Sequence, residues 1–361
     1  MNINRKLTIN FRAWPILGAT RRNPVVRLEN RSAPAKMPAR IARAPAQAGP
    51  PRAPPRRSAA PRPRGAVTAA ARRRSGRLPG MRIELAVAPG DPQHPNEDYA
   101  SVALPASGQG GSLVLLDGVT PPEGDYGCLH TVPWFTARLG GAMLELSVSH
   151  RDMTLPEVLA AAISRTAAIH RSTCDLSHPR TPQATVVAVR WSDETVEHLV
   201  LSDSALLLTG ADGSVTPVLD TRLDQLTPAV RAAREALRAL PRGTPGREAA
   251  ARAYVRSVEA LRNAEGGFFT AAADPSVAAR AVTGRTPRSE VRALTALSDG
   301  AGRWVEVFRA GSWRECAALV AREGPQALID AVRAAEAADP AGSAYPRGKA
   351  RDDAAVVYVE P

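Results

Sequence analysis

The chain has 361 residues, enough for one large domain or two small ones, and a formal charge of +12 at pH 7. That sign suggests a nucleic-acid or membrane binder, but residues 1–80 hold 19 of the 47 Lys and Arg and one of the 35 Asp and Glu, which leaves residues 81–361 net negative. No apolar run reaches the ~18 residues of a membrane span, and no helix-turn-helix or zinc-finger pattern supports a nucleic-acid partner.

The first 80 residues contain "APAQAGPPRAPPRRSAAPRPRG" and 12 prolines. Such a segment buries too little apolar surface to offset the entropy of ordering, so residues 1–80 read as a disordered basic leader. It is a spurious extension upstream of Met81, an unstructured tail, or a basic arm for phosphates. Apolar alternation begins abruptly at "MRIELAVAPG", so the folded domain is expected over residues 81–361.

From Met81 the pattern is strand, loop, strand: "MRIELAVA", "YASVALP" and "GSLVLLDGV". Leu155, Val158, Leu159, Ala162 and Ile163 then space one face of a helix over 154–170. "ATVVAVRW", "TVEHLVLS" and "ALLLTGADGSVTPV" return to strand character, the last with a "GADGS" turn. Residues 226–262 read as two helices split by "LPRGTPG". "SVAARAVTG" and "SEVRALTALSDG" are strand-like again, two helices follow at 312–322 and 324–338, and "DAAVVYVE" closes the chain. Several strands are too close in sequence for helical crossovers. An α+β layering of mixed-to-antiparallel sheets with helices outside is therefore expected.

Cys128, Cys174 and Cys316 are far apart, with no CxxC spacing and no secretory signal. They argue for a reducing, cytoplasmic compartment and against a disulfide framework or zinc site, each reading as a small apolar side chain.

The acids share one local grammar. Glu97 and Asp98 precede "YASVAL", Asp117 ends "SLVLLDG", Asp299 ends "ALTALSDG", and Asp352 precedes "DAAVVYVE". A single such Asp is a turn residue. Several beside hydrophobic strands need something positive to neutralise them, and no cluster of Lys accompanies them. Oxygen donors suit Mg²⁺ or Mn²⁺. From the residues alone, a divalent-metal site and scattered turn residues both stand.

In order, "NEDYASV", "LVLLDGV", "TPQATVVAV", "VLSDSALLL", "LTALSDG" and "ARDDAAVVYV" resemble the motifs of the metal-dependent serine/threonine protein phosphatases, the PP2C-like or PPM family. The resemblance runs over roughly residues 83–360. It implies two packed β-sheets flanked by helices and a cleft holding two Mg²⁺ or Mn²⁺ ions at one edge. It further implies that Asp117 bridges the ions with the Gly118 carbonyl as a ligand. Asp299 and Asp352 then hold one ion, Glu97 completes the site, and Asp98 orients the attacking water. The implied substrate is a phosphoserine or phosphothreonine protein, with no stable nucleic-acid partner and no membrane.

The sequence also departs from the family pattern. The phosphate-gripping arginine falls at Gln93, with His94 beside it as the candidate substitute. Val-Thr-Pro-Pro follows the bridging Asp-Gly, and Pro182-Gln183 precedes the strand threonine, Thr185. Asp203 is the candidate for a third ion, but its expected partner four residues after Asp299 is Arg303. The alternative reading is accordingly a pseudophosphatase that keeps the fold and binds partners.

Overall fold

The computed structural model describes residues 81–106, 110–122, 124–240 and 244–361; the leader assigned to 1–80 lies outside them. The closely spaced apolar runs pair into two five-stranded sheets. One has the order β1 (Arg82–Ala88), β10 (Ala354–Glu360), β9 (Val291–Leu297), β6 (Ala205–Gly210) and β7 (Val215–Val218). The other runs β2 (Tyr99–Ala103), β3 (Gly111–Leu116), β4 (Val186–Trp191), β5 (Thr195–Leu201) and β8 (Val282–Pro287). Every ladder between these strands is antiparallel.

The unbroken apolar runs follow from burial on both faces. In β3, Leu113 and Leu115 point between the sheets, while Val114 and Leu116 point to the helices. β10 does the same on the other side, with Val357 and Val359 inward and Val356 and Tyr358 outward. A one-residue slip would exchange these two cores, which fixes register. Helices α1 (Val132–Ser149) and α2 (Leu155–His170) cover the second sheet. Helices α5 (Asp299–Glu306), α6 (Trp313–Glu323) and α7 (Pro325–Ala338) cover the first. The result is the α/β/β/α layering expected. Helices α3 (Pro228–Ala239) and α4 (Pro245–Glu259) pack apart on a small core of Leu226, Val230 and Phe268. None of the described helices is long and apolar enough to cross a membrane.

Three local expectations change. Residues 132–149, given no element above, form a helix although Gly140-Gly141 lowers helix propensity in the middle of it. Yet Thr131 caps the start by accepting from the Trp134 N–H, and Pro133 sits in the first turn. "SVAARAVTG" begins in a 3₁₀ turn, Pro275–Arg280, and only its last three residues belong to a strand, β8. The run ending at "LSDG" passes straight into α5, so Asp299 begins a helix.

Gly140 is where α1 meets β2: a Cβ there would stand 2.3 Å from Tyr99 Cε1, whereas one at Gly141 meets nothing within 4 Å. Gly140→Ala is expected to destabilise by about 1–3 kcal/mol through overpacking. Gly141→Ala is expected to stabilise by up to about 1 kcal/mol through propensity. Urea denaturation of both variants checks this, and shifts of the same sign would refute the packing account.

Candidate active site

Strand register brings the acids together. Tyr99 opens β2 opposite Leu116 at the end of β3, so Asp98 and Asp117 leave adjacent strands at one end of their sheet. In the other sheet Leu297 closes β9 beside Ala205 of β6 and Val356 of β10, placing Asp299, Asp203 and Asp352 at matching strand ends. The two sets meet across the sandwich. The Asp299 N–H donates to Asp117 Oδ2 at 3.2 Å, and the Glu97 N–H donates to Asp353 Oδ2 at 2.6 Å. Asp353 also accepts from the Gly90 N–H at 2.7 Å, so it ties two loops together. At Gly118 a Cβ would stand 2.6 Å from the Glu97 carbonyl oxygen and 2.4 Å from Val132 Cγ1. Only glycine lets that backbone approach so closely.

The electrostatics are those of crowded carboxylates. Burial holds the Asp98 and Asp117 carboxyls well above the usual range, and neighbouring acids, Asp299 among them, add to both shifts. Burial likewise pushes Asp299 up to about 7, helped by Asp352 and Asp203 and opposed by Arg303. Asp203 is raised by desolvation despite the pull of Arg262. Among the described residues neither buried Asp98 carboxylate oxygen has a partner in hydrogen-bond geometry, although the Ser298 side chain lies near enough to favour the ionised form. Glu97 is raised by desolvation, against the Thr120 hydroxyl that donates to its Oε2.

Two basic groups reach the acids, a single lysine and an arginine rather than a cluster of Lys. Lys349 Nζ donates to Asp352 Oδ1 at 2.7 Å and to Thr120 Oγ1 at 2.9 Å. Burial opposes its charge, but Asp352, Asp299 and Asp117 outweigh that and hold its pKa high. Arg303 Nη2 donates to Asp352 Oδ2 at 2.5 Å, while its Nη1 binds the buried Glu336 at 2.9 Å. Arg303 lies one helical turn beyond Asp299, a spacing legible in the sequence, whereas its partner Asp352 is 49 positions away. His94 Nδ1 lies 2.9 Å from Asp91 Oδ2, with its side chain 77% exposed.

The donor set suits a hard divalent cation on one side. Asp98, Asp117, Asp299 and Asp203 offer crowded oxygens, and two of those oxygens have no other partner. On the other side both Asp352 oxygens are already engaged by Arg303 and Lys349.

The cysteine reading is corrected. Cys316 is a buried core side chain, as expected. Cys128 and Cys174 instead meet with their sulfurs 3.3 Å apart, beside His130 and His170. A separation of 46 positions hid this pairing, since α1 and α2 must pack before the two loops can touch.

No family model and no curated protein matches the sequence. Among solved structures the chain is similar to the serine/threonine phosphatase Stp1 from Staphylococcus aureus, with a TM-score of 0.48 and 12% identity over 77% of this chain and 94% of that one. It is similar to the Mycobacterium tuberculosis serine/threonine phosphatase PstP/Ppp, with a TM-score of 0.46 and 16% identity over 78% of this chain and 98% of that one. It is also similar to the S. agalactiae serine/threonine phosphatase, with a TM-score of 0.46 and 13% identity over 77% of this chain and 98% of that one. Each of these similarities, at low identity, is to a serine/threonine phosphatase.

Proposed function

We propose that this protein is a Mg²⁺- or Mn²⁺-dependent phosphatase acting on phosphoserine or phosphothreonine proteins, in the cytoplasm. The observation that carries the reading is the convergence of Asp98, Asp117, Asp203 and Asp299 from four strand ends, with raised pKa values and two orphaned buried oxygens. Uncompensated carboxylates in a low-dielectric edge cost stability unless a cation completes them. Asp117, Asp299, Glu97, Asp352 and the Gly118 carbonyl would hold two ions, with Asp203 available to a third. Bound divalent ions supply charge neutralisation for a phosphoryl group and an acidified water. The chain's own residues do the rest. Thr120 steers Glu97 by its hydrogen bond, Gly118 keeps the approach to Glu97 open, and the Asp299 N–H fixes one oxygen of Asp117. Asp98 would orient the attacking water.

A second reading, a pseudophosphatase acting as a binding module, is favoured by the clamp of Arg303 and Lys349 on Asp352. With p-nitrophenyl phosphate and Mn²⁺ near neutral pH, the enzyme reading expects slow release of phosphate that EDTA abolishes. Gln93→Arg should lower the apparent KM, because a guanidinium can grip phosphate with two charge-assisted hydrogen bonds. Protein that binds Mn²⁺ yet turns over neither this ester nor phosphopeptides would establish the binding-module reading instead.

A further inference from the structure

Outside the carboxylate edge, four metal-ligating side chains converge from two loops. Cys128 and His130 lie in the segment that leads from Asp117 to α1; His170 ends α2, and Cys174 lies one turn further on. Their ligand atoms all fall within 4.8 Å of one another. Cys128 Sγ is 3.3 Å from Cys174 Sγ, 3.4 Å from His170 Nδ1 and 3.7 Å from His130 Nδ1, and Cys174 Sγ is 3.4 Å from His130 Nδ1. With bonds of about 2.3 Å to sulfur and 2.0–2.1 Å to nitrogen, the edges of a tetrahedral zinc site run from about 3.3 to 3.8 Å. The three sulfur–nitrogen separations lie close to the ~3.5 Å edge expected between unlike donors, while the sulfur–sulfur separation is shorter than the ~3.8 Å edge between two thiolates, so the sulfurs must part by about 0.5 Å to admit the ion.

The surroundings suit thiolate ligands. The Leu129 N–H points at Cys174 Sγ and the His130 N–H at Cys128 Sγ, each at 3.4 Å. Backbone donors of this kind stabilise negative sulfur and orient it. His130 stacks on Trp134 with ring centroids 4.0 Å apart, and His170 is buried at 3% exposure, so both imidazoles are held in place. Thiolate and imidazole are the ligands of a borderline-soft ion, unlike the all-oxygen set at the strand ends.

We propose that Cys128, His130, His170 and Cys174 bind one structural Zn²⁺. Four protein ligands close the coordination sphere, so the ion has no open position for chemistry. Its work is to fasten two loops that border the carboxylates. One runs from Asp117 and Gly118 through Thr120; the other runs from Cys174 to Thr185. These loops already exchange hydrogen bonds from the Asp175 N–H to Gly127 O at 2.7 Å, the Val119 N–H to Gln183 O at 2.9 Å and the Thr185 N–H to Asp117 O at 2.9 Å. The zinc would lock that arrangement from its outer end. This site stands on its own donor set and does not depend on the phosphatase reading.

The test uses the full chain, reduced, stripped of metal and reloaded with Zn²⁺ or Co²⁺ alone. One tightly bound equivalent of zinc per chain is expected at the thiolates, apart from any weaker zinc taken up by the carboxylates. Cobalt should give the intense visible bands of a tetrahedral site together with sulfur-to-cobalt charge transfer in the near ultraviolet. Cys128→Ser and Cys174→Ser should each weaken zinc by more than about 100-fold, beyond the loss typical of an outer-shell change. Asp117→Asn and Cys316→Ser should each retain the full equivalent, which separates this ion from any at the carboxylates. Reduced wild type that takes up no zinc, or cobalt bound without thiolate charge transfer, would overturn the proposal whether or not the serine variants fold. Unchanged zinc stoichiometry in both folded serine variants would overturn it too.

Discussion

Asp117→Asn is expected to reduce metal-dependent turnover by more than about 100-fold while making the metal-free protein more stable. The loss exceeds the 10–100-fold typical of residues that only support a metal ligand, because Asp117 is the carboxylate proposed to touch both ions. The gain has a separate cause. In the metal-free protein Asp117 is buried and faces Asp299, Asp98, Asp203 and Asp352, all of which disfavour its ionised form. A carboxyl whose pKa rises on folding contributes stability that is full below its unfolded pKa of about 4 and is lost as pH rises through the folded value. For Asp299 that folded value is about 7. The melting temperature of EDTA-treated parent protein should therefore carry a falling component between about pH 4 and pH 7 that the variant lacks in part. At pH 7.5 the variant should melt higher, by about 2–4 °C for each kcal/mol of repulsion removed. Saturating Mn²⁺ should reverse the order, since an ion at 100 times its Kd stabilises the parent by about 2.7 kcal/mol. A variant less stable than the parent in EDTA, at neutral pH, would mean that Asp117 serves structure and not a cation.

That opposition between stability and function is also why the acids could be found in the sequence. Asp98, Asp117 and Asp299 each interrupt or end a run that packing alone would leave apolar, whereas their meeting across the sandwich, with Asp117 and Asp299 182 positions apart, was implied only by the resemblance. The sheets were legible for the same reason: continuous apolar runs such as "SLVLLDG" and "AAVVYVE" are what strands buried on both faces require. Helix α1 was not, because Gly140-Gly141 weakens its propensity and the reason for Gly140 is the Tyr99 ring on another strand. Long-range side-chain pairs were hidden altogether. Arg303 with Asp352 and Cys128 with Cys174 are joined by packing of whole helices, and no spacing rule connects residues more than 40 positions apart. Lys349 is the intermediate case: it lies three positions before Asp352, close enough to notice, but its reach to Thr120 depends on the loop after β3.

Freeing Asp352 is the experiment that decides between the catalytic and the binding-module readings. Its two oxygens are held by different cations, and the two can be removed separately. Lys349 is about half exposed, but its charge offsets Asp352, Asp299 and Asp117, so Lys349→Ala should lower the stability of the metal-free protein while leaving the Asp353 N–H on Asp352 Oδ1. It releases Asp352 Oδ1 from the lysine while Arg303 still holds Oδ2. If Asp352 is a metal ligand in competition with Lys349, Mn²⁺ affinity by calorimetry should tighten by about tenfold, the equivalent of 1.4 kcal/mol. Arg303→Met acts on the other oxygen. It takes the guanidinium from both Asp352 and the buried Glu336, leaving Glu336 to Arg333 alone. Breaking a buried pair from one side costs about 3–5 kcal/mol, so this variant should melt markedly lower. The kinetics then separate the roles of Lys349. Should the lysine grip substrate phosphate once an ion takes Asp352, Lys349→Ala will raise KM for p-nitrophenyl phosphate even as metal binds more tightly. Should it only neutralise Asp352, KM will stay level and turnover at limiting Mn²⁺ will rise. Metal affinity unchanged in Lys349→Ala would show that Asp352 is not a ligand, and that the clamp is a permanent salt bridge standing where an active site would need a free carboxylate.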